Sequence, residues 1–209
     1  MLALASRFPG VAPAVGLHPE RLEPGDADID AVEEQALAHR PDLAAIGEIG
    51  LPWYSLEGRS DAAEISTRAR DRLTRLLALA RRLDLPVSLH APHAAAAEAL
   101  ALVIRSGAGP VVFHWHKADR ATTQAIVAAG HFLGVAPEVA YRERDQTLVR
   151  EVPLAQLLVE SDGPWSYRGG VGEPAMVAQA TRSIGEVRGV AAGLVMDALA
   201  DNARRCFGR

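Results

Sequence analysis

Four residues that can bind a metal ion each stand just after a short apolar segment of the sequence. They are Glu48, His90, His114 and Asp162. Apolar segments this short, bounded by glycine, proline or charged residues, are typical of buried strands. In a barrel of parallel strands, the carboxyl ends of the strands open onto the face where active sites lie. We therefore expect the four side chains to converge on one pocket.

Two imidazoles and two carboxylates form a mixed donor set. Such a set suits Zn, Mn, Fe or Ni, whereas Mg prefers a shell rich in oxygen. A carboxylate can bridge two ions about 3.5–4 Å apart, which promotes hydrolysis by holding the attacking and leaving oxygens. Taken singly, a histidine at a strand end is more often a hydrogen-bonded loop residue, and a carboxylate there is often a helix cap. The prediction of a metal site therefore depends on all four residues together.

Six apolar segments alternate with segments that have helical spacing. This alternation is typical of a parallel α/β domain, and no linker or low-complexity segment interrupts it. We predict a single domain over residues 1–209. The predicted strands are 11–17, 44–48, 85–90, 111–114, 132–135 and 157–160. The predicted helices are 28–38, 62–83, 94–105, 119–129, 142–150, 173–187 and 191–206.

The composition disfavours several classes of protein. With 49% apolar and 23% charged residues, the chain resembles an ordinary soluble globular protein. No apolar stretch approaches the roughly 20 residues that cross a bilayer, so we expect no membrane partner. The single cysteine, Cys206, excludes an intramolecular disulfide and favours a cytoplasmic location. The net charge of −4 gives no electrostatic reason to expect tight, nonspecific binding to duplex nucleic acid. It does not exclude a nuclease, because bound divalent cations would change the electrostatic field at the site.

Several motifs surround the four residues and continue to the end of the chain. They are GLHP at 16–19, GEIGLPWY at 47–54, LPVSLH at 85–90, VFHW at 112–115, VESDGPW at 159–165, EP at 173–174 and NARRCFG at 202–208. In this order they resemble the TatD family of metal-dependent hydrolases and DNases. The resemblance implies a TIM-barrel-like hydrolase that uses one or two divalent ions, Mg, Mn or Zn. It also implies cleavage of phosphodiester bonds, often with removal of nucleotides from DNA.

The resemblance assigns a role to each of the four residues by position. It implies that Glu48 bridges two metal ions and that His90 and His114 complete one of the two sites. It implies that Asp162 binds the other ion and orients or deprotonates the attacking water. Glu48 and Asp162 are therefore the expected catalytic residues.

Two further residues are candidates for substrate binding. His18 follows the first predicted strand, where it could contact a phosphate or make a structural hydrogen bond. Arg168 lies in the loop after Asp162, where it could meet a phosphate or remain a solvated loop residue. Trp53 and Tyr54 lie beyond a strand end and could stack on nucleobases, or anchor their loop by packing.

The sequence departs from the family pattern at its start. Members of the family begin with a strand that ends in a His-x-His pair, but no histidine precedes His18 here. We expect an incomplete barrel of about six strands that lacks the first one or two βα units, since 209 residues fall short of the usual 250 or so. A start codon placed too far downstream, a second chain that fills the gap, and a degenerate protein are the three explanations. An open barrel edge would also favour self-association.

Two alternatives to an active phosphodiesterase follow. One is a catalytically impaired barrel remnant that acts as a binding or assembly module. The other is a related amidohydrolase or lactonase. This alternative is less attractive because no predicted strand ends in a lysine, and Lys117 is the only lysine of the chain. His116 could replace the missing pair together with His114, or be a loop residue just past the strand.

Overall fold

Parallel strands followed by helices make up both parts of the chain. The computed structural model describes residues 2–23, 25–168 and 170–208. The chain divides into a first unit of residues 1–111 and a second unit of residues 112–209. In the described ranges, no helix is both long and apolar enough to cross a membrane.

The first unit contains three parallel strands in the order β1-β2-β3. Ala14 pairs with Ala45, and Ile46 pairs with Val87. The register between β2 and β3 shifts between Ile46 and Ile49, as at a β-bulge. The elements are α1 (Leu2–Ala5), β1 (Ala14–Val15), α2 (Asp26–Ala38), β2 (Ala45–Gly50), a 3-10 turn (Tyr54–Leu56), α3 (Ala62–Leu83), β3 (Val87–His90) and α4 (Ala95–Ser106).

The core of the first unit forms between the strands and α3. β2 is buried at every residue except Glu48, which is typical of a parallel strand that is covered on both faces. α3 is amphipathic, and the buried residues recur at helical spacing along one side. They are Ile65, Ala69, Leu73, Leu76, Leu77, Leu79 and Ala80.

The second unit repeats the same pattern with three parallel strands in the order β4-β5-β6, and the first residue of β4, Val111, is the last residue of the first unit. Val112 pairs with Phe132, and Leu133 pairs with Leu157. The elements are β4 (Val111–Phe113), α5 (Arg120–Ala128), β5 (Phe132–Val135), a 3-10 turn (Pro137–Ala140), α6 (Glu143–Glu151), a 3-10 turn (Leu154–Gln156), β6 (Leu157–Val159), β7 (Ser166–Tyr167), β8 (Gly170–Val171), α7 (Met176–Arg188) and α8 (Ala192–Phe207). β7 and β8 form a short antiparallel hairpin.

The last helix of the second unit closes over its strands. Cys206 of α8 is buried in a cluster with Val112, Phe132 and Leu158. Burial raises the pKa of the Cys206 thiol to about 12, which the nearby Arg205 only partly offsets. The side-chain amide of Asn202, also buried, donates to Leu154 O at 2.7 Å and to Leu157 O at 2.8 Å. Apolar packing and these two bonds together attach α8 to the start of β6.

Most predicted elements are present, two predicted strands have different bounds, and one short hairpin was not predicted. β1 is two residues long instead of spanning 11–17. β2 continues through Glu48 to Gly50, so this carboxylate lies inside the strand and not at its end. The hairpin of β7 and β8 was not expected from the sequence, because its segments are too short and polar to show a strand pattern. The prediction of one domain over 1–209 stays a prediction.

Candidate metal centre

Glu48 lies at the irregular part of β2, between the two residues where the strand register shifts. A bulge of this kind changes the direction in which a side chain points. Ile46 and Ile49 are fully buried, whereas the Glu48 side chain is 23% exposed. The bulge therefore allows a carboxylate inside a strand that is otherwise apolar.

His90, the last residue of β3, lies between two carboxylates. Its Nδ1 is 3.0 Å from Glu48 Oε1, and its Nε2 is 3.1 Å from Glu20 Oε1. Burial lowers the pKa of His90, but the hydrogen bonds to Glu20 and Glu48 outweigh it, so the net pKa is raised. Both ring nitrogens thus have a negatively charged neighbour.

Glu20 is a functional candidate that the sequence did not reveal. Its Oε1 accepts hydrogen bonds from the amides of Trp53 at 2.8 Å and Tyr54 at 3.2 Å. Its Oε2 accepts from the amide of Ser55 at 2.8 Å and from the Ser55 hydroxyl at 2.5 Å. Burial raises the pKa of Glu20, but the bonds from His90, Ser55 and Trp53 outweigh it, and the pKa falls well below its usual range. Glu20 is therefore a fixed, ionised carboxylate.

His18 completes a group of three possible ligands. Ligand atoms of His18, Glu48 and His90 all lie within 4.8 Å of one another. His18 Nε2 is 3.7 Å from Glu48 Oε1, and its Nδ1 accepts a hydrogen bond from the Glu20 amide at 3.3 Å. A neutral ring that accepts at Nδ1 carries its proton on Nε2. At 3.7 Å from Glu48 Oε1, this Nε2 is too far away for a hydrogen bond to that oxygen.

The geometry of this group fits a divalent cation. Ligand bonds of 2.0–2.2 Å place two donors of a tetrahedral shell roughly 3.4 Å apart, and the distances here from Glu48 Oε1 are 3.0 Å and 3.7 Å. Because the ionised Glu20 only accepts, a neutral His90 ring holds its proton on Nε2. His90 Nδ1 and Glu48 Oε1 then each direct a lone pair towards the other over 3.0 Å. Because two lone pairs repel each other, this contact requires a proton or a cation between the two atoms.

The second unit contains a similar arrangement around His114, the residue after β4. His114 Nε2 is 3.1 Å from Asp162 Oδ1, and His114 Nδ1 is 2.9 Å from Glu160 Oε2. Glu160 Oε1 also accepts a hydrogen bond from the Trp115 amide at 2.5 Å. Asp162 lies three residues beyond the end of β6 with a positive φ of 43°, a conformation that aspartate tolerates better than most residues. A second imidazole thus lies between two carboxylates.

Each unit brings together some of the predicted site residues. The structure brings Glu48, His90 and His18 together in the first unit, and His114 and Asp162 in the second. Glu160, directly after β6, is a hydrogen-bond partner of His114. It belongs to the same sequence motif as Asp162, but the sequence pattern assigns it no role.

Two other predicted candidates lie apart from these contacts. Arg168 is exposed, and its guanidinium lies 4.7 Å from the centroid of the Tyr141 ring. His116 is buried, and its Nε2 is 2.8 Å from Thr123 Oγ1 of α5. Burial lowers the pKa of His116 to about 4, so the ring is neutral near pH 7. These contacts support the interpretation of His116 as a structural loop residue.

Comparisons with known proteins find relatives that match most of this chain. A deoxyribonuclease, TATDN3 from Homo sapiens, is 28% identical, and the alignment covers 99% of this chain and 78% of that protein. An uncharacterized metal-dependent hydrolase from Haemophilus influenzae is 28% identical over 156 residues, which cover 75% of this chain but only 61% of that relative. The crystal structure of YjjV, a TatD homologue from Escherichia coli K12, matches 100% of this chain and 81% of its own chain with a TM-score of 0.86 and 28% identity.

The structural match confirms the α/β class and the TIM-barrel-like architecture that the sequence predicts. The family model described as "TatD related DNase" matches residues 1–208. This chain therefore belongs to the TatD family.

Proposed function

We propose that this chain is a divalent-metal-dependent hydrolase that cleaves phosphodiester bonds, with DNA as its substrate. The approach of His90 Nδ1 to Glu48 Oε1 at 3.0 Å, with His18 beside them, is the observation that carries the proposal. The names of two relatives, a metal-dependent hydrolase and a deoxyribonuclease, support the reaction class and the substrate.

Four residues are the proposed ligands. Glu48 and His90 would hold an ion in the first unit, and His114 and Asp162 would hold one in the second. The mixture of nitrogen and oxygen donors favours Mn or Zn over Mg. When bound, a divalent ion polarises a phosphoryl oxygen and lowers the pKa of water at the site.

The residues of the chain supply the proton transfer and the orientation of the substrate. Asp162 is the proposed general base, because its carboxylate is partly exposed and its Oδ1 is oriented by His114 Nε2 at 3.1 Å. His18 presents an N–H at Nε2, which suits donation to a phosphate oxygen. Arg168 is exposed and positively charged, and it is proposed to contact a more distant phosphate.

Cleavage of end-labelled DNA tests the proposed function. The purified chain is incubated with Mn, Mg or Zn salts and with single- or double-stranded oligonucleotides. We expect metal-dependent cleavage, and a loss of at least about 100-fold in rate for Glu48→Gln and for Asp162→Asn. Glu57→Gln changes an exposed carboxylate outside both groups and should leave the rate unchanged.

Two outcomes would contradict the proposal. One is a protein that binds metal, shown by elemental analysis, yet cleaves no oligonucleotide with any of the three ions. The other is equal cleavage by the chain and both variants, since that would assign the activity to a contaminating nuclease.

A further inference from the structure

We propose that Glu20 is a positioning residue for the metal centre: it fixes the tautomer and orientation of His90 and joins that ring to the segment Trp53–Ser55. This inference rests on the proposed metal-dependent function. It concerns a residue that contacts His90 and not the substrate.

The first step is that the Glu20 carboxylate is itself held in place. It accepts hydrogen bonds from the backbone amides of Trp53, Tyr54 and Ser55 and from the Ser55 hydroxyl. Its side chain is only 17% exposed. Four donors on two oxygens leave little freedom of rotation, so the carboxylate offers a fixed acceptor to the ring of His90.

The second step concerns the protons of His90. Both oxygens of Glu20 accept from amides or a hydroxyl, so the ring nitrogen that faces Oε1, Nε2 at 3.1 Å, is the one that donates a proton. In the neutral ring the lone pair is then on Nδ1, which faces Glu48. Histidines that bind metal typically donate the other ring N–H to a carboxylate, and loss of that partner lowers metal affinity by about 10- to 100-fold. Glu20 thereby makes Nδ1 the ligand atom.

The third step is that one oxygen of Glu20 contacts both the segment Trp53–Ser55 and the ring of His90. Glu20 Oε1 accepts from Trp53 and Tyr54 and also contacts His90 Nε2. A shift of the segment therefore displaces the acceptor on which the ring orientation depends. We expect a change in this segment to alter metal affinity even where the changed residue contacts no ligand.

Metal affinity and imidazole tautomer together test this inference. Isothermal titration with Zn²⁺ or Mn²⁺ measures the affinity of the full chain. ¹⁵N NMR of histidine-labelled protein without metal, at an alkaline pH where the ring is neutral, reports which nitrogen of His90 carries the proton. The spectrum of His90→Gln identifies the signals of that ring.

The variant Glu20→Gln should lose about 10- to 100-fold in metal affinity and should shift the His90 proton from Nε2 towards a mixture of tautomers. Glu23→Gln is the matched control, an exposed carboxylate in the same loop, and should change neither quantity. Glu20→Asp keeps the charge but shortens the side chain, so we expect partial rescue of the tautomer.

A second variant keeps the test decisive if Glu20→Gln does not fold. Ser55→Ala removes one donor to Glu20 while the backbone amide remains, and should lower metal affinity by about two- to fivefold. Ser60→Ala removes the hydroxyl of an exposed serine and is the control, so it should leave metal affinity unchanged. Wild-type affinity and an unchanged His90 tautomer in folded Glu20→Gln, or unchanged affinity in Ser55→Ala, would overturn the inference.

The failure of the proposed function gives a different result. A chain that binds metal but cleaves no DNA refutes the phosphodiesterase, while the Glu20 measurements keep their meaning. A chain that binds no metal refutes the metal-dependent function, and the tautomer in the metal-free ring still tests the role of Glu20.

Discussion

His90 and His114 have the same local environment at the scale of single residues. Each imidazole lies between two carboxylates, and one of the two is fixed by backbone amides. Glu20 is held by Trp53, Tyr54 and Ser55 beside His90, and Glu160 is held by Trp115 beside His114. The fixed carboxylate lies against one ring nitrogen, and Glu48 or Asp162, the proposed metal ligand, lies against the other.

Space for the Glu160 carboxylate depends on Gly134 of β5. A Cβ atom at this position would lie 2.6 Å from Glu160 Oε2 and 2.8 Å from Oε1, closer than packed atoms approach. We expect Gly134→Ala to lower the free energy of unfolding by about 1–3 kcal/mol, as measured by urea denaturation. The same substitution should reduce DNA cleavage, because the carboxylate must leave His114.

Gly193→Ala is the control for Gly134→Ala. Gly193 lies in α8, and a Cβ there would meet nothing within 4 Å. Replacing a helical glycine should raise stability by roughly 0.5–1 kcal/mol. Equal stabilities for Gly134→Ala and the wild type would show that Glu160 relaxes without cost.

The sequence indicates the four candidate ligands more readily than their hydrogen-bond partners. Glu48, His90, His114 and Asp162 stand out because each comes after a short apolar segment of the sequence. Glu20 lies 70 positions from His90, and such a contact has no periodic signal in the sequence. Only the folded loops show that its carboxylate meets the ring.

At the scale of elements, Asn202 attaches α8 to the start of β6. It is 2% exposed, and its amide satisfies the carbonyls of Leu154 and Leu157. We expect Asn202→Ala to lower the free energy of unfolding by about 1–3 kcal/mol, because two carbonyls lose their donor. Chemical denaturation followed by circular dichroism measures the change.

Asp197→Ala is the matched control on the same helix. Asp197 is exposed, so its replacement should alter stability by no more than about 0.5 kcal/mol. A comparable loss in both variants would mean that helix propensity or charge, and not the buried amide, determines the effect of Asn202.

Elements with strong periodicity were predicted closely. The bounds of α3, Ala62–Leu83, and of β5, Phe132–Val135, match the sequence prediction residue by residue. The end of β2 was predicted wrongly because Glu48 interrupts the apolar run, whereas the bulge carries the strand past it. Local hydrophobic patterns do not indicate where a polar side chain leaves a strand.

At the scale of the whole molecule, the metal should stabilise the folded chain. An ion that binds only the folded state adds about 2.7 kcal/mol at a concentration 100 times its Kd. We therefore expect Zn²⁺ or Mn²⁺ to raise the Tm in differential scanning fluorimetry, and excess EDTA to reverse the rise. Because Glu48 is a proposed ligand, Glu48→Gln should show a much smaller shift.

The exposed variant Glu57→Gln should respond to metal as the wild type does. An unchanged Tm in the wild type at millimolar metal would contradict a folded-state site. An equal rise in Glu48→Gln would place the stabilising ion elsewhere in the chain.

The burial of Cys206 makes its chemical labelling a measure of how often α8 separates from the strands of the second unit. Thiol reagents attack the thiolate, and a thiol with a pKa of about 12 in an apolar cluster is neither ionised near neutral pH nor accessible. Because the chain has a single cysteine, each labelled molecule is one in which α8 has separated from the strands beneath it. The labelling rate therefore reports how often this part of the second unit opens, with no engineered probe.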